Sequence, residues 1–149
     1  MASGVTVADE CKCVFEEIKS KKAHRFVVYV IKDEKQIVVE TIGLRSQGYE
    51  DFVETITTAG GPSECRYGVF DLEYKHQTQG TTEASLKQKL ILMSWCPDTA
   101  KIKQKMIYAS SLEALKKPLV GVHKAIQATD LAEIDYDAVL EKVRQMDRV

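Results

Sequence analysis

The segment WCPDTAKIKQKMIYASSLEALKKPLVG, residues 95–121, contains the only tryptophan of the chain, a dense run of lysines and a long helical pattern. We interpret it as the end of a strand, a turn and a long helix. The side chain of Asp98 or Thr99 could cap that helix, since either can accept a hydrogen bond from an unpaired N–H group of the first turn. Gly121 is the matching stop signal.

Two stripes at helical spacing run along the predicted helix. The first should be buried and consists of Tyr108, Leu112, Leu115 and Leu119. The second consists of Lys103, Met106, Ser110, Glu113 and Lys117. One interpretation of the second stripe is a solvated face with a single stray apolar residue. The other is a docking face, because an adaptable Met ringed by Lys suits an apolar cleft with acidic margins on another protein.

Length and composition predict one globular domain over residues 1–149. Its first residues, 1–5, should form a flexible tail. The 149 residues are 44% hydrophobic and 29% charged, which is enough apolar material for a substantial core. The net charge of −1 argues against a generic nucleic-acid-binding protein. Residues 101–124 nevertheless contain six lysines and one acidic residue, so the neutral total conceals a basic patch.

The cysteines predict neither a metal site nor a disulfide framework. The four cysteines form no CxxC pair, and the three histidines lie at no zinc-ligand spacing from them. With no signal peptide and no membrane-spanning apolar run, we expect a reducing compartment, the cytosol or the nucleus. Most thiols should pack as small apolar groups, although Cys96 beside Pro97 could also be reactive.

The remaining pattern predicts an α+β domain, in which a mixed, mostly antiparallel sheet of about five strands is sandwiched between helices. Predicted helices cover residues 6–20, 49–57 and 131–146, in addition to the long helix. Predicted strands cover residues 25–31, 36–42, 66–74 and 86–95, with a short fifth strand within 119–128. The apolar run 90–93 predicts a central strand with both faces covered. Residues 58–64 should form a surface loop and 75–84 a protruding hairpin tip.

No enzyme motif is present in the sequence. It contains no GxGxxG after a strand, no Walker loop, no HExxH and no GxSxG. Asp135 and Asp137 stand near a helix start, where carboxylates are suited to capping rather than to acid–base chemistry. We therefore expect a protein that is not an enzyme and that needs no cofactor.

Four blocks in order resemble the actin-depolymerising factor (ADF)/cofilin family over nearly the whole chain. They are MASGV at 1–5, SECRYGVFDLEY at 63–74, WCPDTAKIKQKMIYASS at 95–111 and LEALKK at 112–117. The resemblance implies a single ADF-homology domain that binds monomeric and filamentous actin, prefers ADP-actin, and severs and disassembles filaments. It implies no covalent chemistry.

The resemblance also implies two actin-binding surfaces. In the family, the long helix enters the cleft between actin subdomains, and the N-terminal residues lie beside it. The matching positions here are Ala2, Ser3, Gly4, Lys103, Lys105 and Met106. A second, filament-specific surface matches Lys87, Lys89, Glu141 and Lys142. From the pattern alone, Lys87 and Lys89 could equally be the solvated end of a strand.

Regulation of the first surface is implied as well. Ser3 matches the inhibitory phosphorylation site of the family, and a charge near −2 beside a cationic helix should weaken docking to acidic actin. Phosphoinositide headgroups, which bind family members in competition with actin, would contact Lys103, Lys105, Lys116 and Lys117. The alternative function is a phosphoinositide-dependent adaptor at the membrane surface that no longer severs filaments.

Leu112 and Pro118 are among the positions that depart from the usual pattern of the family. Leu112 replaces a usual Lys, and Pro118 interrupts the helix, which we therefore expect to end near Lys117. We expect a monomer in the cytoplasm at the actin cytoskeleton. Presence in the nucleus is a further possibility, although the segment SKKAHR is shorter than the Lys-rich nuclear signal of vertebrate relatives.

Overall fold

The computed structural model of the chain describes residues 4–77 and 84–145. Its strands are β1 (Thr6–Val7), β2 (His24–Lys32), β3 (Gln36–Leu44), β4 (Arg66–Gln77), β5 (Ala84–Trp95) and β6 (Lys124–Ala128). Its helices are α1 (Asp9–Glu16), which continues into a π-helical segment (Glu17–Lys21), α2 (Tyr49–Thr58), α3 (Ile102–Lys116), α4 (Leu131–Ile134) and α5 (Tyr136–Arg144). The predicted hairpin tip falls mainly on residues 78–83, which lie outside the described ranges.

The strands form one mixed sheet in the order β1-β3-β2-β4-β5-β6. The central pairs β3/β2, β2/β4 and β4/β5 are antiparallel, whereas β1 and β6 add to the edges in parallel. This confirms the predicted α+β class and the mostly antiparallel sheet, with the two-residue β1 as a sixth strand. Residues 90–93 are buried in β5, as their continuous apolar run predicted.

Helices cover both faces of the sheet, and each face has its own core. On one face α1 and α3 bury residues such as Phe15, Leu112 and Leu115. On the other face α2, α4 and α5 bury residues such as Phe52 and Val139. The apolar stripe predicted for the long helix is confirmed, since its four members, Tyr108, Leu112, Leu115 and Leu119, are each at most 6% exposed.

Tyr108 fixes α3 to the sheet. Its hydroxyl accepts a hydrogen bond of 2.9 Å from the backbone N–H of Ile31 on β2. Its own carbonyl accepts a hydrogen bond from the hydroxyl of Tyr67 on β4, and the two rings lie 4.9 Å apart. Burial raises the pKa of Tyr108, so its hydroxyl stays neutral. The register of α3 on the sheet is therefore fixed near its middle.

The predicted start of the first helix is wrong. Thr6 and Val7 form β1 instead, and the N–H of Thr6 donates to the carbonyl of Lys35 at 3.0 Å. Both residues are β-branched and fit a strand better than a first helical turn. Val5 is also buried in the core, which shortens the tail expected for residues 1–5.

The last helix was predicted as one element and is two. Asp135 separates α4 from α5 because its backbone is extended, and its carboxylate accepts a hydrogen bond of 3.2 Å from the N–H of Asp137. The capping role predicted for these aspartates is thus confirmed for Asp135. Leu131 was predicted to be a core residue, but it is 65% exposed on the short α4. Ile134 and Val143 are fully buried, as predicted.

Gly43 permits close contact between β3 and the ring of Phe26. A Cβ atom at this position would lie 2.3 Å from Cε2 of Phe26, which is itself 1% exposed. We expect Gly43→Ala to lower the free energy of unfolding by about 1–3 kcal/mol, because the ring has no free space to move into. Urea denaturation measures this, and the exposed Ser46→Ala should change stability by less than about 0.5 kcal/mol. Equal stability of both variants would contradict the contact.

Candidate functional site

The polar side chains of residues 97–100, which precede α3, do not cap the helix as predicted. Residues 97–100 form a turn, closed by a hydrogen bond of 2.9 Å from the N–H of Ala100 to the carbonyl of Pro97. The hydroxyl of Thr99 pairs with that of Ser63 at 2.7 Å. The predicted cap by Asp98 or Thr99 is therefore wrong, because α3 begins at Ile102, three to four residues further along.

The N-terminus of α3 is instead a concentrated positive region. Lys101 occupies the N-cap position, no side chain caps the helix, and its first turn has no acidic residue. The unpaired N–H groups and the helix dipole already place partial positive charge there. Lys101, Lys103 and Lys105 add three full charges, so this end of α3 favours an acidic partner.

The predicted exposed stripe of α3 is confirmed, and it contains more apolar surface than the sequence analysis identified. All five members, Lys103, Met106, Ser110, Glu113 and Lys117, are exposed. Met106 is 66% exposed, and Ile102 one turn earlier is 75% exposed. Residues four apart are neighbours on a helix surface, so the two side chains form one apolar ridge among the lysines. A contiguous ridge is better explained by a docking face than by a single stray residue.

Lys105 and Lys103 flank this ridge in different ways. The ammonium of Lys105 donates a hydrogen bond of 2.6 Å to the carbonyl of Asp98, which fixes it against the preceding turn. Lys103 reaches in the other direction and pairs with Glu34 at 3.2 Å. Both side chains of that pair are more than half exposed, so it contributes little stability and can exchange partners.

The N-terminal segment lies beside the same end of α3. Glu34 is in the turn between β2 and β3, and the adjacent Lys35 accepts the hydrogen bond from Thr6 of β1. β1 also lies against α3. Gly4, two residues before β1, is exposed and has a left-handed φ of 82°, where glycine is favoured. Gly4 thus leads into a strand that lies against α3, whereas the predicted residues Ala2 and Ser3 lie outside the described residues.

The two lysines at the end of α3 lie far from those at its start. The helix ends at Lys116, with Lys117 as its C-cap and Pro118 next, which confirms the predicted end near Lys117. Lys116 pairs with Glu113 at 3.2 Å. At a rise of about 1.5 Å per residue, Lys103 and Lys117 are separated by roughly 20 Å along the axis. A single phosphoinositide headgroup could therefore not contact Lys103 and Lys117 at the same time.

The residues of the predicted filament-specific surface share one side of the sheet. Lys87 and Lys89 are half-buried on β5 and lie on the same face of the sheet as Ile91 and Met93, which is the face covered by α5. Glu141 and Lys142 lie on α5, exposed and half-buried respectively. His123 is a neighbour of Lys89, and burial, with the charge of that lysine, lowers its pKa. The structure thus places both pairs on one side of the domain.

The sequence analysis missed Ile102 on the α3 face and Glu34, which pairs with Lys103 from the turn between β2 and β3. Ile102 lies four residues before Met106, and that spacing could have identified it. Glu34 is distant in sequence, so only the tertiary fold brings its carboxylate to Lys103.

Within residues 4–77 and 84–145 no group of three His, Cys, Asp or Glu side chains is placed to hold a metal ion. In the same ranges, no helix combines the length and apolar character needed to cross a bilayer. The exposed apolar ridge of α3 in its basic surround is a feature of a protein-docking domain.

Comparisons with known proteins agree with this class. A sequence profile described as cofilin/tropomyosin-type actin-binding protein matches residues 4–144. Actin-depolymerizing factor 1 of Arabidopsis thaliana is 43% identical over 137 residues, covering 91% of this chain and 92% of the relative. Cofilin of Mycosarcoma maydis is 41% identical over 143 residues and 96% of each chain. The crystal structure of Streptomyces griseoflavus cofilin superposes with a TM-score of 0.82 at 36% identity, covering 95% and 98% of the two chains.

The chain belongs to the ADF/cofilin family of actin-binding proteins. This confirms the resemblance inferred from the four sequence blocks. The family consists of actin-binding regulators rather than enzymes, which also confirms the expectation that the protein is not an enzyme.

Proposed function

We propose that this protein binds monomeric and filamentous actin and severs and depolymerises filaments, with α3 as its main contact. The observation that carries the proposal is the exposed ridge of Ile102 and Met106 at the uncapped, lysine-rich start of that helix. An apolar ridge supplies the desolvated centre of an interface, and the surrounding cations select a partner with acidic margins. Gly4, with Ala2 and Ser3 before it, would complete this contact.

A second contact would distinguish filaments from monomers. Lys87 and Lys89 on β5, with Glu141 and Lys142 on α5, are on the side of the sheet opposite to α3. A domain with binding groups on two opposite sides can bridge two subunits of a filament. Such bridging would alter the filament twist and so favour severing.

We further propose that phosphorylation of Ser3 switches the α3 contact off. β1 lies against α3, and Thr6 of β1 bonds to Lys35, the neighbour of the Glu34 that pairs with Lys103. A phosphate on Ser3 would therefore be close to the positive end of α3. Its charge near −2 would neutralise the lysines that select the acidic partner and would repel that partner directly.

Phosphoinositides would compete for the same helix. Because the two ends of the lysine set are roughly 20 Å apart, Lys103 and Lys105 would bind one headgroup and Lys116 and Lys117 another. Competition with actin would then arise at the first pair. The protein would act as a monomer in the cytoplasm at the actin cytoskeleton and could also enter the nucleus.

High-speed co-sedimentation with preformed actin filaments tests the proposed function. We expect the protein to pellet with actin and, as more protein is added, actin to move into the supernatant. Ser3→Asp should weaken both effects, whereas Ser3→Ala should not. If the protein neither pelleted nor released actin, filament disassembly would be rejected. Vesicle flotation that persists at saturating monomeric actin would instead favour the membrane adaptor.

A further inference from the structure

Two cysteines that are distant in sequence meet at one end of the sheet. The β4/β5 ladder ends with Arg66 opposite Trp95, and Cys65 and Cys96 come one position beyond that pair. Opposite residues of an antiparallel pair have Cα atoms about 4.5–5.5 Å apart. A disulfide spans Cα separations of about 4.4–6.8 Å, so the end of this ladder has the spacing that a disulfide requires.

The Cys65 and Cys96 thiols are hydrogen-bonded to each other, while the two backbones bond to other partners. The N–H of Cys65 donates to the side-chain oxygen of Gln104 at 2.9 Å. The N–H of Cys96 donates to the carbonyl of Ala128 at 3.0 Å. Both side chains are on the α1/α3 face of the sheet, where they belong to the same apolar cluster.

The two thiols have unequal environments. Cys65 is fully buried, whereas Cys96 is partly exposed and lines a cavity of about 200 Å³ together with Lys105 and Asp98. Three interactions lower the pKa of Cys96: a hydrogen bond from the Cys65 thiol, a hydrogen bond with Ser94 and the charge of Lys105. The same hydrogen bond, followed by burial, raises the pKa of Cys65. Cys96 is therefore the more easily ionised of the two thiols, and Cys65 is its hydrogen-bond donor.

We propose that Cys65 and Cys96 form an oxidisable dithiol, which hydrogen peroxide converts into an intramolecular disulfide. The Cys96 thiolate attacks the peroxide, which leaves a sulfenic acid on Cys96 and releases hydroxide. The Cys65 sulfur then attacks the Cys96 sulfur, loses its proton and displaces water. One peroxide is reduced to water for each disulfide formed.

The order of these steps follows from the contact between the thiols. Cys96 is the more exposed thiol, so it meets the peroxide first. Cys65 is in contact with Cys96 and is therefore placed to act as the resolving thiol. The other two cysteines lack such a neighbour: burial raises the pKa of Cys11 to about 12, and Cys13 is exposed on α1.

Peptide mapping of the full-length protein after exposure to hydrogen peroxide tests the proposal. We expect the wild-type chain to lose two of its four thiols and the mass of two hydrogen atoms. A peptide pair linked through Cys65 and Cys96 should appear, and dithiothreitol should release it. Cys13→Ser is the matched control and should form the same linked pair.

Two variants separate the roles of the thiols. In Cys65→Ser, the sulfenic acid on Cys96 should persist and be trapped by dimedone, whereas the wild-type chain should trap little. In Cys96→Ser, the buried Cys65 should stay reduced. Absence of the linked pair from the wild-type chain would overturn the proposal, as would equal dimedone trapping at Cys96 in the wild-type and Cys65→Ser chains. If Cys65→Ser does not fold, the wild-type peptide map decides alone.

Discussion

Charge reversal at Lys103 and Lys105 together is expected to weaken actin binding by about 100-fold or more, while the fold is retained. The two substitutions turn a positive rim around the ridge of Ile102 and Met106 into a negative one. Against a partner with acidic margins, an attraction becomes a like-charge contact, which costs several kcal/mol. Co-sedimentation and a monomer-binding titration measure the loss.

The expected cost of this double variant to folding is small. Lys103 loses one exposed ion pair with Glu34, which contributes little. Lys105 loses its hydrogen bond to the carbonyl of Asp98, worth about 1 kcal/mol. A circular dichroism spectrum and a cooperative thermal transition like those of the wild-type chain would show that the loss of affinity is local.

Lys117→Glu is the matched control on the same helix. Lys117 is exposed but lies roughly 20 Å from Lys103 along the axis, so actin binding through the start of α3 should be nearly unchanged. Retained affinity in the Lys103/Lys105 variant would reject the site assignment. An equal loss in Lys117→Glu would show that the net charge of the protein, rather than the ridge, determines binding.

The elements with strong periodicity could be predicted from the sequence, and their junctions could not. The β2/β3 hairpin, α2 and the buried stripe of α3 follow from apolar patterns that act within one element. The start of α3 could not be predicted because the fold gives this turn other partners: the hydroxyl of Thr99 pairs with Ser63, and the backbone carbonyl of Asp98 accepts a hydrogen bond from Lys105. Tertiary contacts overrode a reasonable local preference at that point.

The same limit applies to the candidate site. The stripe containing Met106 could be found from helical spacing, and the paired lysines of β5 from strand alternation. The resemblance to the family added the roles of these residues, because no residue pattern in a single chain shows what its exposed faces contact. The partners of Lys103 and Cys96, by contrast, are separated from them by 69 and 31 positions in the sequence, so only the folded chain shows them.

A buried ionic network on β2 to β5 escaped the sequence analysis for this reason, and it predicts a large loss of stability. Asp71 is fully buried, and its carboxylate accepts hydrogen bonds from Arg45 at 2.6 Å and from Gln88 at 2.8 Å. Arg45 also contacts Glu73 at 2.7 Å, and Glu73 pairs with Arg25 at 2.8 Å. The hydrogen bond from Arg25, with the charges of both arginines, lowers the pKa of Glu73.

Arg45→Met is expected to lower the free energy of unfolding by about 3 kcal/mol. The substitution leaves the Asp71 carboxylate buried without its cation, and an uncompensated buried charge is far more costly than the net value of the pair. Urea denaturation measures the loss. As a control, Lys116→Ala removes an exposed pair with Glu113 and should change stability by less than about 0.5 kcal/mol.

The double variant Arg45→Met/Asp71→Leu identifies the cause of that loss. Replacing both charges with apolar groups removes the isolated carboxylate, so the double variant should be more stable than Arg45→Met alone. Glu73 keeps its pair with Arg25 in both variants and does not confuse the comparison. A double variant that is less stable than Arg45→Met, because Asp71→Leu adds its own loss, would contradict this. Arg45 would then contribute mainly through packing of its side chain rather than through its charge.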